Sequence, residues 1–193
     1  MRALYLLRHG PTEANERRLY CGRTDLPLSP TGRALALETA ANRPLPACDL
    51  YVTSGLHRAN ETLLLLTGRA PEVEIAEWRE MDFGAFEMRG YDELKDDADY
   101  RRWIADCMGP GVVPCPGGES AAQFDARVLK GGEKLLALKW NAALAVIHGG
   151  PVARLMMRWF PCDGRGFYDW QPEYCRGWRV TFDGSAPAGY QPI

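Results

Sequence analysis

The chain has 193 residues, 46% of them hydrophobic and 25% charged, and a formal net charge of −2. That length fits one folded domain spanning residues 1–193, with enough apolar sequence to bury a core, so the composition excludes a disordered chain. The near-neutral charge leaves no basic footprint for nucleic acid or an anionic membrane, and no apolar run approaches the length of a membrane span.

The first element is an apolar run, Ala3 to Leu7, that ends abruptly in Arg8-His9-Gly10-Pro11. A run of that kind reads as a strand buried on both faces, with its polar residues just beyond the carboxyl end. In open α/β sheets that edge is where ligands bind. Thr12 to Asn15 is placed to open a helix, whose free N–H groups favour an anion. The same Arg8-His9 pair cuts the N-terminal apolar region too short for a secretory leader.

A loop by composition, Leu19 to Gly32, comes next, and Ser29 or Thr31 is a candidate cap for a helix from Arg33 to about Ala41. Leu50 to Thr53 is a second strand, followed by Ser54-Gly55-Leu56-His57-Arg58 and a Leu-rich helix over Glu61 to Thr67. Val73 to Ile75 reads as a short strand. Trp78 to Glu87 mixes acids with aromatics and Gly, as a functional loop does, and a carboxylate beside Trp78 and Phe83 is a candidate for a raised pKa. One or two helices are expected over Tyr91 to Cys107. A breaker-rich connector covers 109–120, with a lid as the alternative. A helix over Gln123 to Leu138 is weakened by Gly131-Gly132. Ala142 to Ile147 is another buried strand, ending in His148-Gly149-Gly150, with an amphipathic helix over Val152 to Phe160. Alternation over Trp178 to Asp183 predicts a final strand.

Three strand ends therefore carry Arg8-His9-Gly10, Ser54 to Arg58 and His148-Gly149-Gly150. Each alone is an ordinary polar strand end. As neighbours in one parallel sheet they would gather the guanidiniums of Arg8 and Arg58, the imidazoles of His9 and His148 and glycine-rich backbone at one spot. Arg suits multidentate phosphate recognition, and Gly lets backbone N–H groups approach an anion. Phosphoryl transfer needs an in-line nucleophile and charge stabilisation on the equatorial oxygens. His9 fits the first role; Arg8, Arg58 and His148 fit the second, and Glu80 is the candidate proton donor. Because cationic side chains supply the charge, neither a metal nor another cofactor is expected, and no carboxylate cluster for Mg²⁺ is evident. Six scattered cysteines without a C-x-x-C pair show neither zinc spacing nor a disulfide framework, which points to free thiols and a cytoplasmic protein.

Arg8-His9-Gly10-x-Thr12-x-x-Asn15 resembles the signature of the histidine phosphatase superfamily, the phosphoglycerate-mutase-like group. Gly22-x-x-Asp25, Ser54-x-Leu56-x-Arg58-Ala59-x-x-Thr62, Glu80-x-x-Phe83-Gly84-x-Phe86-Glu87 and His148-Gly149-Gly150 follow in family order. The resemblance implies a three-layer α/β/α sandwich on a mostly parallel central sheet. It also implies a phosphohistidine at His9 and proton donation by Glu80. Arg8, Arg58, His148, Asn15 and the Gly149 backbone would form the phosphate pocket, with Thr12 near the phosphate and Cys21, Gly22 and Arg23 facing the substrate. The segment after Glu80 is short, unlike that of the mutases. Tyr100-x-x-Trp103 and Pro116-Gly117-Gly118-Glu119-Ser120-x-x-x-Phe124-x-x-Arg127 look like the α-ribazole phosphatases of cobalamin assembly. The expected partner is thus a small phosphorylated metabolite, handled by a monomer or homodimer. A broad-specificity or phosphoprotein phosphatase, a mutase and a silent phosphate-binding module remain as alternatives. Pro11, Pro151 and the stretch Phe167 to Trp178 depart from the family pattern, and the last is expected to reshape the site's mouth.

Overall fold

A computed structural model describes residues 1–107 and 109–193. The chain lays down β1 (Arg2–Arg8), α1 (Glu13–Glu16), α2 (Pro30–Asn42), β2 (Leu50–Thr53), α3 (His57–Thr67) and β3 (Val73–Glu74). Two 3₁₀ turns, Ala76–Trp78 and Gly84–Phe86, precede α4 (Tyr91–Leu94), α5 (Ala98–Cys107), α6 (Ala121–Ala137), β4 (Ala142–Ile147) and α7 (Gly149–Trp159). β5 (Gly177–Asp183) and β6 (Ala186–Pro192) close the chain. The strands form one six-stranded sheet in the order β3-β2-β4-β1-β5-β6; the first four run parallel, and β5 pairs antiparallel with both β1 and β6.

The period-2 alternation of each strand divides its side chains between two cores. Leu4, Leu6, Val52, Ala143, Ala145 and Ile147 pack on one face with residues of α5, α6 and α7. Leu7, Tyr51, Leu144 and Val146 pack on the other with Ala59, Leu63 and Leu66 of α3 and Ala40 of α2. Helices therefore cover both faces, as expected of a three-layer sandwich. No helix among the described residues is long and apolar enough to cross a membrane.

Several boundaries differ from expectation for local reasons. Ser29 caps α2 by accepting from the Gly32 N–H, so the helix starts at Pro30, where a missing N–H costs nothing. α3 starts at His57 rather than Glu61 because Asp25, distant in sequence, accepts from the His57 N–H in place of a local cap. α6 begins earlier, at a Ser120/Gln123 capping box, and runs through both glycines. A Cβ at Gly131 would lie 2.6 Å from the Trp78 indole, so glycine is what lets α6 approach the 3₁₀ turn. β6 was not expected from its sequence; it contains Pro187 and Pro192, and it is tolerated as the outer edge of the sheet.

Sheet register positions the site. Leu7 pairs with Val146, and Val146 with Thr53, so the chain leaves β1, β4 and β2 at one level. The His9 N–H donates to the Ile147 carbonyl at 2.9 Å, carrying this register one residue past the strand. His9, His148 and the Ser54–Arg58 segment are thereby brought to one sheet edge.

Candidate active site

His9 and His148 are both buried, with ring centroids 4.9 Å apart in an edge-on arrangement. His9 Nδ1 lies 2.6 Å from the Gly10 carbonyl oxygen, which can only accept, so Nδ1 carries the proton and Nε2 keeps its lone pair. Arg58 Nε donates to His148 Nδ1 at 3.2 Å, so that ring's proton sits on Nε2, which donates to Ser54 Oγ at 2.7 Å. Burial holds the His9 pKa well below its ordinary value; the Arg58 charge adds to this, the Gly10 hydrogen bond opposes it, and Arg8 adds a little more. Burial also lowers His148, reinforced by Arg58, His9 and Arg8. Both imidazoles are neutral at pH 7.

Arg58 reaches this place from the first turn of α3 and is 1% exposed. Its terminal nitrogens donate to the carbonyls of Gly22 at 2.7 Å and Thr24 at 2.9 Å. Thr62, one turn further along α3, donates to the Arg58 carbonyl and accepts from the Gly10 N–H at 2.9 Å. It ties the residue after His9 to the helix that carries Arg58. Arg8 Nη1 donates to the Pro172 carbonyl at 3.1 Å. Neither Arg8 nor Arg58 has a carboxylate partner within ion-pair distance among the described residues. Two guanidiniums without a neutralising carboxylate, beside two neutral imidazoles, give a site whose charge and donors complement a phosphate dianion.

Glu80 faces the same edge. Its carboxylate accepts from the Gly150 N–H at 3.0 Å and from its own neighbour, the Met81 N–H, at 3.0 Å. The first of these bonds joins it to the N-terminal turn of α7, which His148 opens. Arg127 braces this loop from behind. It grips Glu119 through two nitrogens at 2.7 Å and also donates to the carbonyls of Glu77, Arg79 and Glu80. Glu119 in turn accepts from the Asp82 N–H at 3.0 Å. The 109–120 segment packs beneath the same loop through Ala85 N–H to Pro116 and Glu119 N–H to Asp82, as a connector would.

Other expected site residues fall into two groups. Cys21, Gly22 and Arg23 lie on a loop gathered by the Glu87 carboxylate, which accepts from the N–H groups of Gly22, Arg23, Thr24 and Phe83. Burial pushes the Cys21 thiol above its ordinary value against the pull of Arg58, so it stays protonated. Arg23 is exposed and paired with Asp82 at 3.0 Å. Thr12 and Asn15 engage each other: Asn15 Oδ1 accepts from the Thr12 N–H and hydroxyl, forming the cap of α1. Thr12 is fully buried there. Glu87, Glu119, Arg127 and Thr62 stood in the motifs without a role. Only Thr62 had a local signal, its i+4 spacing from Arg58. Glu87 meets partners more than sixty residues away in sequence.

The buried neutral histidines set the acid limit of the fold. Unfolded, each takes a proton near its ordinary value of about 6.5; folded, each resists protonation, so stability falls as pH drops below about 6.5. Urea midpoints are expected to decline in the wild type from about pH 7.5 to about pH 5.5, the range that spans the ordinary imidazole value. His9→Ala and His148→Ala should each remove up to about one proton from the slope. An unchanged slope in both variants would mean that the imidazoles protonate freely in the folded protein.

A parallel α/β edge that presents a neutral imidazole with a free ring nitrogen beside arginines without carboxylate partners has the chemistry of a site for phosphoryl groups. The chain matches the model of the histidine phosphatase superfamily (branch 1) over residues 4–189, and it belongs to that family. It is accordingly a phosphatase-type hydrolase. It is 36% identical over 162 residues to the adenosylcobalamin/α-ribazole phosphatase of Salmonella typhimurium, covering 80% of this chain and 78% of that one. The α-ribazole phosphatase structure from Shigella flexneri superposes with a TM-score of 0.85 at 26% identity, covering 96% of this chain and 93% of the other. A phosphoglycerate mutase structure from Thermus thermophilus gives 0.74 at 29% identity, covering 97% of each chain.

Proposed function

We propose that this protein is a metal-independent phosphomonoesterase that works through a phosphohistidine at His9, with α-ribazole 5′-phosphate as its substrate. His9 Nε2 attacks phosphorus in line with the ester oxygen. Arg8 and Arg58 hold the equatorial oxygens, joined by His148 once its Nε2–H leaves Ser54 Oγ for the phosphate. As the P–O bond breaks, Glu80 gives its proton to the leaving alkoxide. Glu80 then takes a proton from water, the hydroxide attacks phosphohistidine, the P–N bond breaks, and inorganic phosphate leaves with His9 Nε2 again free. The observation that carries this reading is the lone pair on His9 Nε2, fixed by the Nδ1–Gly10 bond, beside two guanidiniums with no carboxylate partner among the described residues.

The substrate assignment rests on the likeness to α-ribazole phosphatases in sequence and structure. We read residues 1–193 as one cytoplasmic domain acting as monomer or homodimer; six free cysteines suit a reducing compartment. The test is phosphate release in EDTA from α-ribazole 5′-phosphate, 3-phosphoglycerate, fructose 2,6-bisphosphate, a phosphopeptide and an aryl phosphate. The expected result is a kcat/KM for α-ribazole phosphate well above the rest. Equal rates across the panel would replace that substrate with a broad-specificity role. Activity on none would leave only a phosphate-binding module.

A further inference from the structure

We propose that Tyr174 is the positioning residue of the Arg8 guanidinium, its ring forming with the Gly149 backbone a slot that holds the cation flat for the phosphate. The inference rests on the functional reading above and assigns a role to the 167–178 stretch, which the mechanism leaves unused.

The Arg8 guanidinium carbon lies 3.9 Å from the Tyr174 ring centroid. The Gly149 backbone also closes on this group: a Cβ there would come within 3.3 Å of the same carbon and of Arg8 Nε. The slot thus has an aromatic wall and a backbone wall, and any side chain at residue 149 would narrow it. Backbone bonds lock the aromatic wall to the strand it serves. Cys175, at a left-handed φ of 57°, donates its N–H to the Arg8 carbonyl at 3.0 Å, and the Arg8 N–H donates to the Arg176 carbonyl at 2.9 Å. A non-glycine residue in that conformation carries strain that the surroundings must hold in place. Here the strained residue is the one that directly follows Tyr174.

Two further facts point to a ligand. Arg8 Nε is buried and has no hydrogen-bond partner among the described residues. Such a donor is costly to leave unmade, and a phosphate oxygen is an acceptor of the right charge. The Tyr174 ring also stands 6.1 Å from the His9 ring, centroid to centroid, so the slot adjoins the proposed nucleophile. An aromatic face orients a cation without neutralising it, whereas a carboxylate there would compete with the substrate's own charge.

The test uses inorganic phosphate as the probe. It is read as a competitive inhibitor of aryl phosphate hydrolysis and, independently of turnover, as a phosphate-dependent rise in Tm. Tyr174→Phe should keep the phosphate inhibition constant within about twofold, because the ring face remains. Tyr174→Leu should raise that constant and KM by about five- to twenty-fold, with a smaller change in kcat. Placed on Arg8→Ala, the same Tyr174→Leu change should have no further effect. Gly149→Ala, with Tyr174 intact, should weaken phosphate as well by crowding Arg8 out of the slot; it also serves if Tyr174→Leu fails to fold. Unchanged phosphate affinity in Gly149→Ala, or in a folded Tyr174→Leu, overturns the proposal, as does a full Tyr174→Leu effect in the Arg8→Ala background. A wild type without aryl phosphatase activity would instead defeat the functional reading, and the Tm series would still report on the slot.

Discussion

His9→Ala is expected to lower kcat/KM by roughly 10⁴-fold or more while leaving a folded protein, the size of loss seen when a nucleophile is removed and only transition-state binding remains. The imidazole makes one short hydrogen bond, to the Gly10 carbonyl, and is buried in its neutral form. Removing it therefore sacrifices one interaction of about 1 kcal/mol, so thermal stability should move little at neutral pH. Rapid quenching of the wild type during turnover should trap a phosphoryl group on His9 that survives alkali and is lost in acid. A variant that turns over normally at matched folding, or a wild type that never labels, would remove His9 from the nucleophile's role.

Glu80→Gln should separate substrates by their leaving groups. For an alkyl phosphate the departing alkoxide needs a proton, and losing a positioned acid costs about 10²- to 10⁴-fold. An aryl phosphate with an acidic phenol needs little help, so its kcat/KM should fall less than about tenfold by the same reasoning. The comparison must use kcat/KM, which covers only the steps up to departure of the alcohol; kcat also includes hydrolysis of the phosphohistidine, where Glu80 acts as base on every substrate. Equal losses in kcat/KM on both esters would deny Glu80 the acid's role. The Gly150 N–H that holds its carboxylate at 3.0 Å would then be read as a structural link between the loop and α7.

Much of the site was legible locally because its parts sit where regular structure stops. Ala142–Ile147 reads as a buried strand from its residues alone, and polar residues directly after such a strand have few places to go except the sheet edge. The helix starts were less legible. α3 begins on an Asp25 acceptor from another loop, and α6 keeps two glycines because Trp78 packs against one of them. Local propensity weighs glycine as a breaker, but close packing reverses that sign when no Cβ would fit. β6 hid behind its prolines, which only an edge position tolerates.

By itself the sequence determined the chemistry on offer: which residues end the parallel strands, that these include the imidazoles of His9 and His148 and the guanidiniums of Arg8 and Arg58, and that a carboxylate follows at Glu80. Side-chain chemistry and strand periodicity are local properties, so they can be read without coordinates. Tertiary structure alone decided which nitrogen of His9 is free, because that depends on where the Gly10 carbonyl points. It alone decided that Glu87 gathers the Gly22–Thr24 loop and that Arg127 braces the Glu80 loop, across 48 residues at Arg79 and 47 at Glu80. It also put Thr12 and Asn15 into a helix cap and Tyr174 beneath Arg8. Each of these is a meeting of groups far apart in the chain or a choice between hydrogen-bond acceptors, and both are settled only when packing fixes distances to within a few tenths of an ångström.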